Sequence, residues 1–157
     1  MVVYAAVTWD QVHRDARSLA ASLVKQAPYR GIVAVARGGM IPACIVAREL
    51  ECRLVETMCV VSYPDEAGSR TAPVILKAPS AAGDGTGFLI VDDLVDTGHT
   101  AREVRKLLPR AHFACLYAKP EGRKFADSWV TEVAQDVWIL FPWDTEPVFV
   151  PPLARRT

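Results

Sequence analysis

"FLIVDDLVDTGHTA" (residues 88–101) is the stretch that decides how this chain folds. Phe88–Val91 is an unbroken apolar run, which suits a strand buried on both faces. It meets Asp92 and Asp93, then Leu94 and Val95, then Asp96-Thr97-Gly98-His99-Thr100. The pattern predicts a strand over 88–92, a loop over 93–99 and a helix over 100–108 stopped by Pro109. Gly98 permits a tight turn, and the N–H groups that open a helix have no partner within it. Together with the hydroxyls of Thr97 and Thr100 they suit an anion such as phosphate. Read alone, the loop is equally an ordinary glycine turn with Thr100 as helix cap. Three carboxylates beside an anion loop also need another task, and the rest of the chain has to supply it.

The whole sequence narrows the class. At 157 residues, 51% of them hydrophobic, the chain is long enough to bury a core as one compact domain. Eighteen basic and 18 acidic residues balance to zero, which excludes coating of nucleic acid through bulk charge but not a local basic site. No apolar run approaches the roughly 20 residues of a membrane span. "MVVYAAVTWD" at the start lacks a basic region and a long apolar core, so no signal peptide is expected. Cys44, Cys52, Cys59 and Cys115 form no C-x-x-C pair and predict reduced thiols in a cytoplasmic protein, with peripheral membrane association left open.

Working outward, Thr8-Trp9-Asp10-Gln11 has capping-box spacing, and Val12, Ala16, Leu19, Ala20 and Leu23 continue as a helix over 9–25. "GIVAVA" (31–36) reads as a buried strand, "RGG" (37–39) as a turn, and "MIPACIVAREL" (40–50) as a helix that tolerates Pro42 in its first turn. Further strands are expected at 52–63, 74–78, 112–118 and 136–140, with a polar Gly/Pro/Ser-rich loop at 64–73 and a turn at 83–87. Strands alternating with helices predict an α/β fold, a mainly parallel twisted sheet flanked by helices. Ligands in such folds sit at the carboxyl ends of the strands, where Arg37, Asp92–Thr100 and Lys119 all fall.

The full string around Asp92–Thr100 resembles the phosphoribosyl-diphosphate (PRPP) signature of type I phosphoribosyltransferases. "VTWD" (7–10), "ARGGMIPA" (36–43), "VSY" (61–63), "AHFACLYAKPEGR" (111–123), "QDVWI" (135–139), "PWD" (142–144) and "VFVPP" (148–152) resemble, in order, the bacterial xanthine–guanine branch of that family. The resemblance implies a type I phosphoribosyltransferase-like fold spanning 1–157, with a flexible lid at 64–73 and a small base-binding hood within 119–157. It implies Mg²⁺-dependent transfer of a phosphoribosyl group from PRPP to N9 of a 6-oxopurine in purine salvage, through an oxocarbenium-like transition state. Arg37 and Gly38 would meet pyrophosphate, and the Ala36–Arg37 peptide is expected to be cis. Asp92 and Asp93 would hold the ribose hydroxyls, with Asp93 toward the metal. Leu94 and Val95 would be further substrate-binding positions, and Thr97–Thr100 would take the 5′-phosphate, with His99 either joining it or facing solvent. Asp96 would face N7 of the purine as acid or base. By the same resemblance Arg70 would be the lid's pyrophosphate contact, with Lys77 as competitor, and Asp96, Arg70 and Asp92 would be the catalytic residues.

At the base end, a lysine at position 119 can donate to O6, which adenine lacks. Trp138 offers a flat face for the purine and the Ile139 carbonyl an acceptor. Relatives tend to be more polar after the Trp-Ile pair, whereas this chain has Leu140-Phe141, so the choice between amino and oxo groups at C2 stays open. The family implies self-association as a homotetramer or dimer. Two rivals stand: a transferase for another base, and a PRPP-sensing regulatory or nucleic-acid-binding module without catalysis. The second lacks a spare helix-turn-helix and net basic charge.

Overall fold

A computed structural model of the chain describes residues 3–62, 72–144 and 154. Its elements are β1 (Val3–Ala6), α1 (Trp9–Leu23), β2 (Gly31–Ala36), α2 (Met40–Glu49), β3 (Val55–Val61), β4 (Val74–Lys77), β5 (Phe88–Val95), α3 (His99–Leu107), β6 (His112–Ala118), β7 (Ser128–Glu132) and β8 (Val137–Leu140). Six strands form one sheet in the order β4-β3-β2-β5-β6-β7, while β1 and β8 pair as a separate two-stranded sheet. Every neighbouring pair in the large sheet is parallel except β3–β4. The mainly parallel sheet and flanking helices expected from the sequence are therefore present.

The unbroken apolar runs have a direct cause. Ile32 and Ala34 of β2, Leu89 and Val91 of β5, and Ala114 and Leu116 of β6 pack in one cluster with Val12, Ala16 and Leu19 of α1 and Val46 of α2. The intervening Val33, Val35, Phe88, Ile90, Phe113 and Cys115 pack in a second cluster with Ala101 and Val104 of α3. Each central strand thus buries alternate side chains against opposite layers. Fully burying one Leu, Ile or Phe contributes about 1.5–3 kcal/mol, so these three strands anchor everything at their ends. The capping box of α1 forms as expected: Gln11 N donates to Thr8 Oγ1 at 3.2 Å and Thr8 N to Gln11 Oε1 at 2.8 Å.

Several boundaries differ from the sequence reading. β5 runs to Val95 rather than ending at Asp92, because Leu94 and Val95 stay in parallel register with Tyr117 and Ala118 of β6. Pairing with a neighbour holds the backbone extended regardless of the aspartates' low strand preference. Helix α3 starts at His99 and ends at Leu107, one residue earlier at each end than expected. Strands β1 and β7 were not expected at all. All four residues of β1 are exposed, and β7 is an edge strand of mixed polarity, so neither carries a buried period-two pattern. The Ala36–Arg37 peptide is cis, as the resemblance implied. Residues 64–71 of the expected lid, including Arg70, lie outside the described residues. Among the described residues, no helix is long and apolar enough to cross a membrane.

Candidate active site

Strands β2, β5 and β6 lie side by side and parallel, so Arg37, Asp92–Thr100 and Lys119 come together at one edge of the sheet. Three groups of contacts build the site there.

The first joins β2 to β5. A Cβ added at Gly38 would collide with the carboxylate of Asp93, so only glycine lets the Arg37-Gly38-Gly39 turn lie against the acidic pair. The Arg37 side chain is exposed above it. Asp92 is buried, and its Oδ1 accepts from Asp93 N at 2.9 Å; Asp93 Oδ1 accepts from Leu94 N at 2.7 Å. Burial pushes the Asp92 carboxyl well above the usual carboxylate range, and the neighbouring Asp93 charge adds to it. Burial also raises Asp93, to about 6, with the Asp144 carboxylate contributing in the same direction. Two acids so close resist ionising together. Hard oxygen donors that lack a counter-charge suit a divalent cation such as Mg²⁺. No cluster of three or more metal-binding side chains occurs among the described residues. Mg²⁺ commonly takes one or two carboxylates and completes its shell with water and phosphate oxygens.

The second group is the turn into α3. Gly98 takes the left-handed conformation (φ +85°) and no side chain caps the helix. Thr100 is therefore not the helix cap, and among the described residues no side chain accepts from the first-turn N–H groups. A Cβ on Gly98 would strike the Phe125 ring, so the turn is tight against the segment after β6. Thr97 and His99 are exposed at its rim.

The third group was only half anticipated. Lys119 is 3% exposed, yet its Nζ lies 3.1 Å from Asp96 Oδ2. Asp96 Oδ1 accepts from Gln135 Nε2 at 2.9 Å. Sequence reading placed Asp96 and Lys119 separately at the base and gave Gln135 no role; a contact between residues 39 apart leaves no local trace. Val95, just before Asp96, reinforces the arrangement, its carbonyl accepting from Lys119 N at 2.9 Å.

Lys77, the alternative lid contact, donates to the Thr57 carbonyl at 2.7 Å. On β8, Trp138 is 47% exposed while Ile139 is buried in the core. Leu140 and Phe141, the apolar departure, are buried as well. Phe141 stacks on Trp143 with centroids 4.7 Å apart and meets Tyr117 edge-on at 5.8 Å. Trp143 in turn packs on Trp9 of α1 at 6.0 Å, so the end of β8 is tied to the main body by an aromatic chain.

Comparison with known proteins identifies the family. The profile of the phosphoribosyl transferase domain matches residues 8–149. A xanthine-guanine phosphoribosyltransferase of Gluconobacter oxydans is 66% identical over 98% of this chain and 92% of its own length. One from Nitratidesulfovibrio vulgaris is 53% identical over 96% of this chain and 90% of its own. The crystal structure of a purine phosphoribosyltransferase from Pyrococcus horikoshii superposes with a TM-score of 0.78 at 31% identity, covering 94% of this chain and 99% of that one. With a family profile over most of its length, close relatives in sequence and the same fold, the chain belongs to the phosphoribosyltransferase family.

Proposed function

We propose that the protein is a purine-salvage enzyme that transfers the phosphoribosyl group of PRPP to N9 of xanthine or guanine, with hypoxanthine as a further substrate. XMP or GMP and pyrophosphate are the products. The observation that carries this reading is the Lys119–Asp96 pair at 3.1 Å. A 6-oxopurine presents O6, an acceptor, next to N7, where a proton is gained or lost. An ammonium and a carboxylate side by side complement that edge, whereas the amino group of adenine would face a buried cation.

In this mechanism the C1′–oxygen bond of PRPP breaks and its electron pair leaves with pyrophosphate. The nitrogen N9 supplies the new bond to C1′, while Asp96 takes a proton from N7 and Lys119 donates to O6. Asp92 and Asp93 hold the ribose hydroxyls, and Leu94 and Val95 support that stretch. Thr97, Gly98, His99 and Thr100 surround the 5′-phosphate, with helix N–H groups as donors. Arg37 and Gly38 meet pyrophosphate, joined by Arg70 of the 64–73 lid. Trp138 covers the purine face, the Ile139 carbonyl accepts from the base, and residues 119–157 form the hood of one domain. Asp93 would hold Mg²⁺, which supplies positive charge toward the departing pyrophosphate when bound.

Assembly as a homotetramer or dimer belongs to the same reading; the exposed Val74 and Leu76 of edge strand β4 suit burial against another copy. Four free cysteines suit a reducing, cytoplasmic setting. The test is pyrophosphate release from PRPP and Mg²⁺ with guanine, xanthine, hypoxanthine and adenine offered separately. Turnover with 6-oxopurines and at least about 100-fold less with adenine is expected; no turnover with any base would end the proposal.

A further inference from the structure

Gln135 lies in the connection between β7 and β8, three residues before Trp138. Three hydrogen bonds meet on it. Glu121 N donates to Gln135 Oε1 at 3.1 Å, Gln135 Nε2 donates to Asp96 Oδ1 at 2.9 Å, and Lys119 Nζ reaches the Gln135 carbonyl at 3.4 Å. The orientation of the amide is fixed by its partners. A main-chain N–H can only donate, so the amide oxygen faces Glu121 and the NH₂ group faces Asp96, whose ionised carboxylate can only accept. Asp96 Oδ2 is taken by Lys119, so the two oxygens of the carboxylate are held from two sides.

From this arrangement we infer that Gln135 is the positioning residue of the base end. Its side chain sets the plane of Asp96 and its carbonyl directs the Lys119 ammonium, so the N7 and O6 contacts are fixed relative to each other. The inference rests on the reading of this site as 6-oxopurine phosphoribosyl transfer. Asp96 needs such a brace because its side chain is 45% exposed and hangs beyond the last paired residue of β5. An aspartate there would otherwise rotate about its side-chain bonds, and misplacement of a proton acceptor by about 1 Å can cost roughly 100-fold in rate. The lysine has a parallel need. Two of its three N–H groups are directed at Asp96 and the Gln135 carbonyl, which reserves the remaining one for O6.

A purely structural role, stapling the 135 segment to the turn at Glu121, makes a different prediction, and two substitutions separate the two. Gln135→Glu is isosteric and keeps an acceptor for Glu121 N, but replaces the donor to Asp96 with a like-charged oxygen. Gln135→Leu removes both side-chain bonds. The inference expects both to lower kcat with guanine by about 10- to 100-fold, the loss of a hydrogen bond to a charged group. The KM for PRPP should stay within about twofold, which also reports a folded site. In an Asp96→Asn background, Gln135→Leu should cost less than about threefold, since the group it positions is gone. Losses that multiply in the double variant, or Gln135→Glu and Gln135→Leu both within twofold of wild type, would overturn the positioning role while leaving the function intact. Absence of turnover by the wild-type protein would remove the function and this inference together.

Discussion

The Asp92–Asp93 pair and Asp96 lie on one strand and its following turn, but their surroundings are opposite. The pair is sunk between β2 and β6, leans on backbone N–H groups, and has no cationic side chain as hydrogen-bond or ion-pair partner among the described residues. Asp96 sits beyond the strand with Lys119 on one oxygen and Gln135 on the other. Identical side chains therefore acquire different chemistry from position alone. Uncompensated acids at the end of β5 are suited to gathering a cation and sugar hydroxyls. A carboxylate balanced by a buried ammonium suits the polar edge of a purine. The contrast also accounts for three acidic residues beside the turn into α3: in the proposed mechanism the phosphate falls to backbone groups from Gly98 onward, where no side chain caps the helix.

The largest expected effect breaks the contrast at the pair. Asp93→Asn should lower kcat/KM by about 10³-fold or more, yet stabilise the free protein. The sign follows from the raised folded value of about 6 against an ordinary carboxylate. Between roughly pH 4 and 6 the folded state holds the proton more tightly than the unfolded one, so stability falls as pH rises and levels off above. Thermal or urea melts of the magnesium-free protein at pH 7.5 should therefore favour Asp93→Asn by about 1–3 kcal/mol, with the advantage vanishing near pH 4. Equal stability at both pH values would show that the pair is not strained by its charges.

Next in size, Asp96→Asn should reduce kcat by about 10²- to 10³-fold without a gain in stability, because its charge is already balanced. Steady-state kinetics alongside melts would separate it from Asp93→Asn. Lys119→Met sharpens the contrast further. The ratio of guanine to adenine turnover should collapse by about 100-fold, since the proposed mechanism draws its selectivity from the buried donor. The smallest effect concerns the aromatic chain that ties β8 down: Trp9→Ala should cost only about 1 kcal/mol in a denaturant melt, as Trp9 is already about half exposed.

Much of the scaffold was legible because it is local. The runs at 31–36, 88–91 and 112–118 announce strands buried on both faces, and Thr8 with Gln11 announces the start of α1. The strand β1 escaped notice because none of its residues is buried, and β7 because an edge strand tolerates mixed polarity. Extension of β5 through Asp93 depends on β6, a partner that begins 19 residues after Asp93. The same holds at the site. Residue types at strand ends pointed to Arg37, Asp92, Asp93, Asp96 and Lys119. That Lys119 and Asp96 touch, that Gly38 is shaped around Asp93, and that Gln135 braces Asp96 are properties of three-dimensional register. Such contacts leave no periodic signal in a single chain.

The division of labour between the two acidic sites is tested most directly by calorimetric titration of PRPP into wild-type protein and Asp93→Asn, each with and without Mg²⁺. If the Asp92–Asp93 pair gathers the cation, Mg²⁺ should tighten PRPP binding to the wild type by at least about tenfold, or about 1.4 kcal/mol, and leave Asp93→Asn nearly unresponsive. An equal response to Mg²⁺ in both proteins would contradict it.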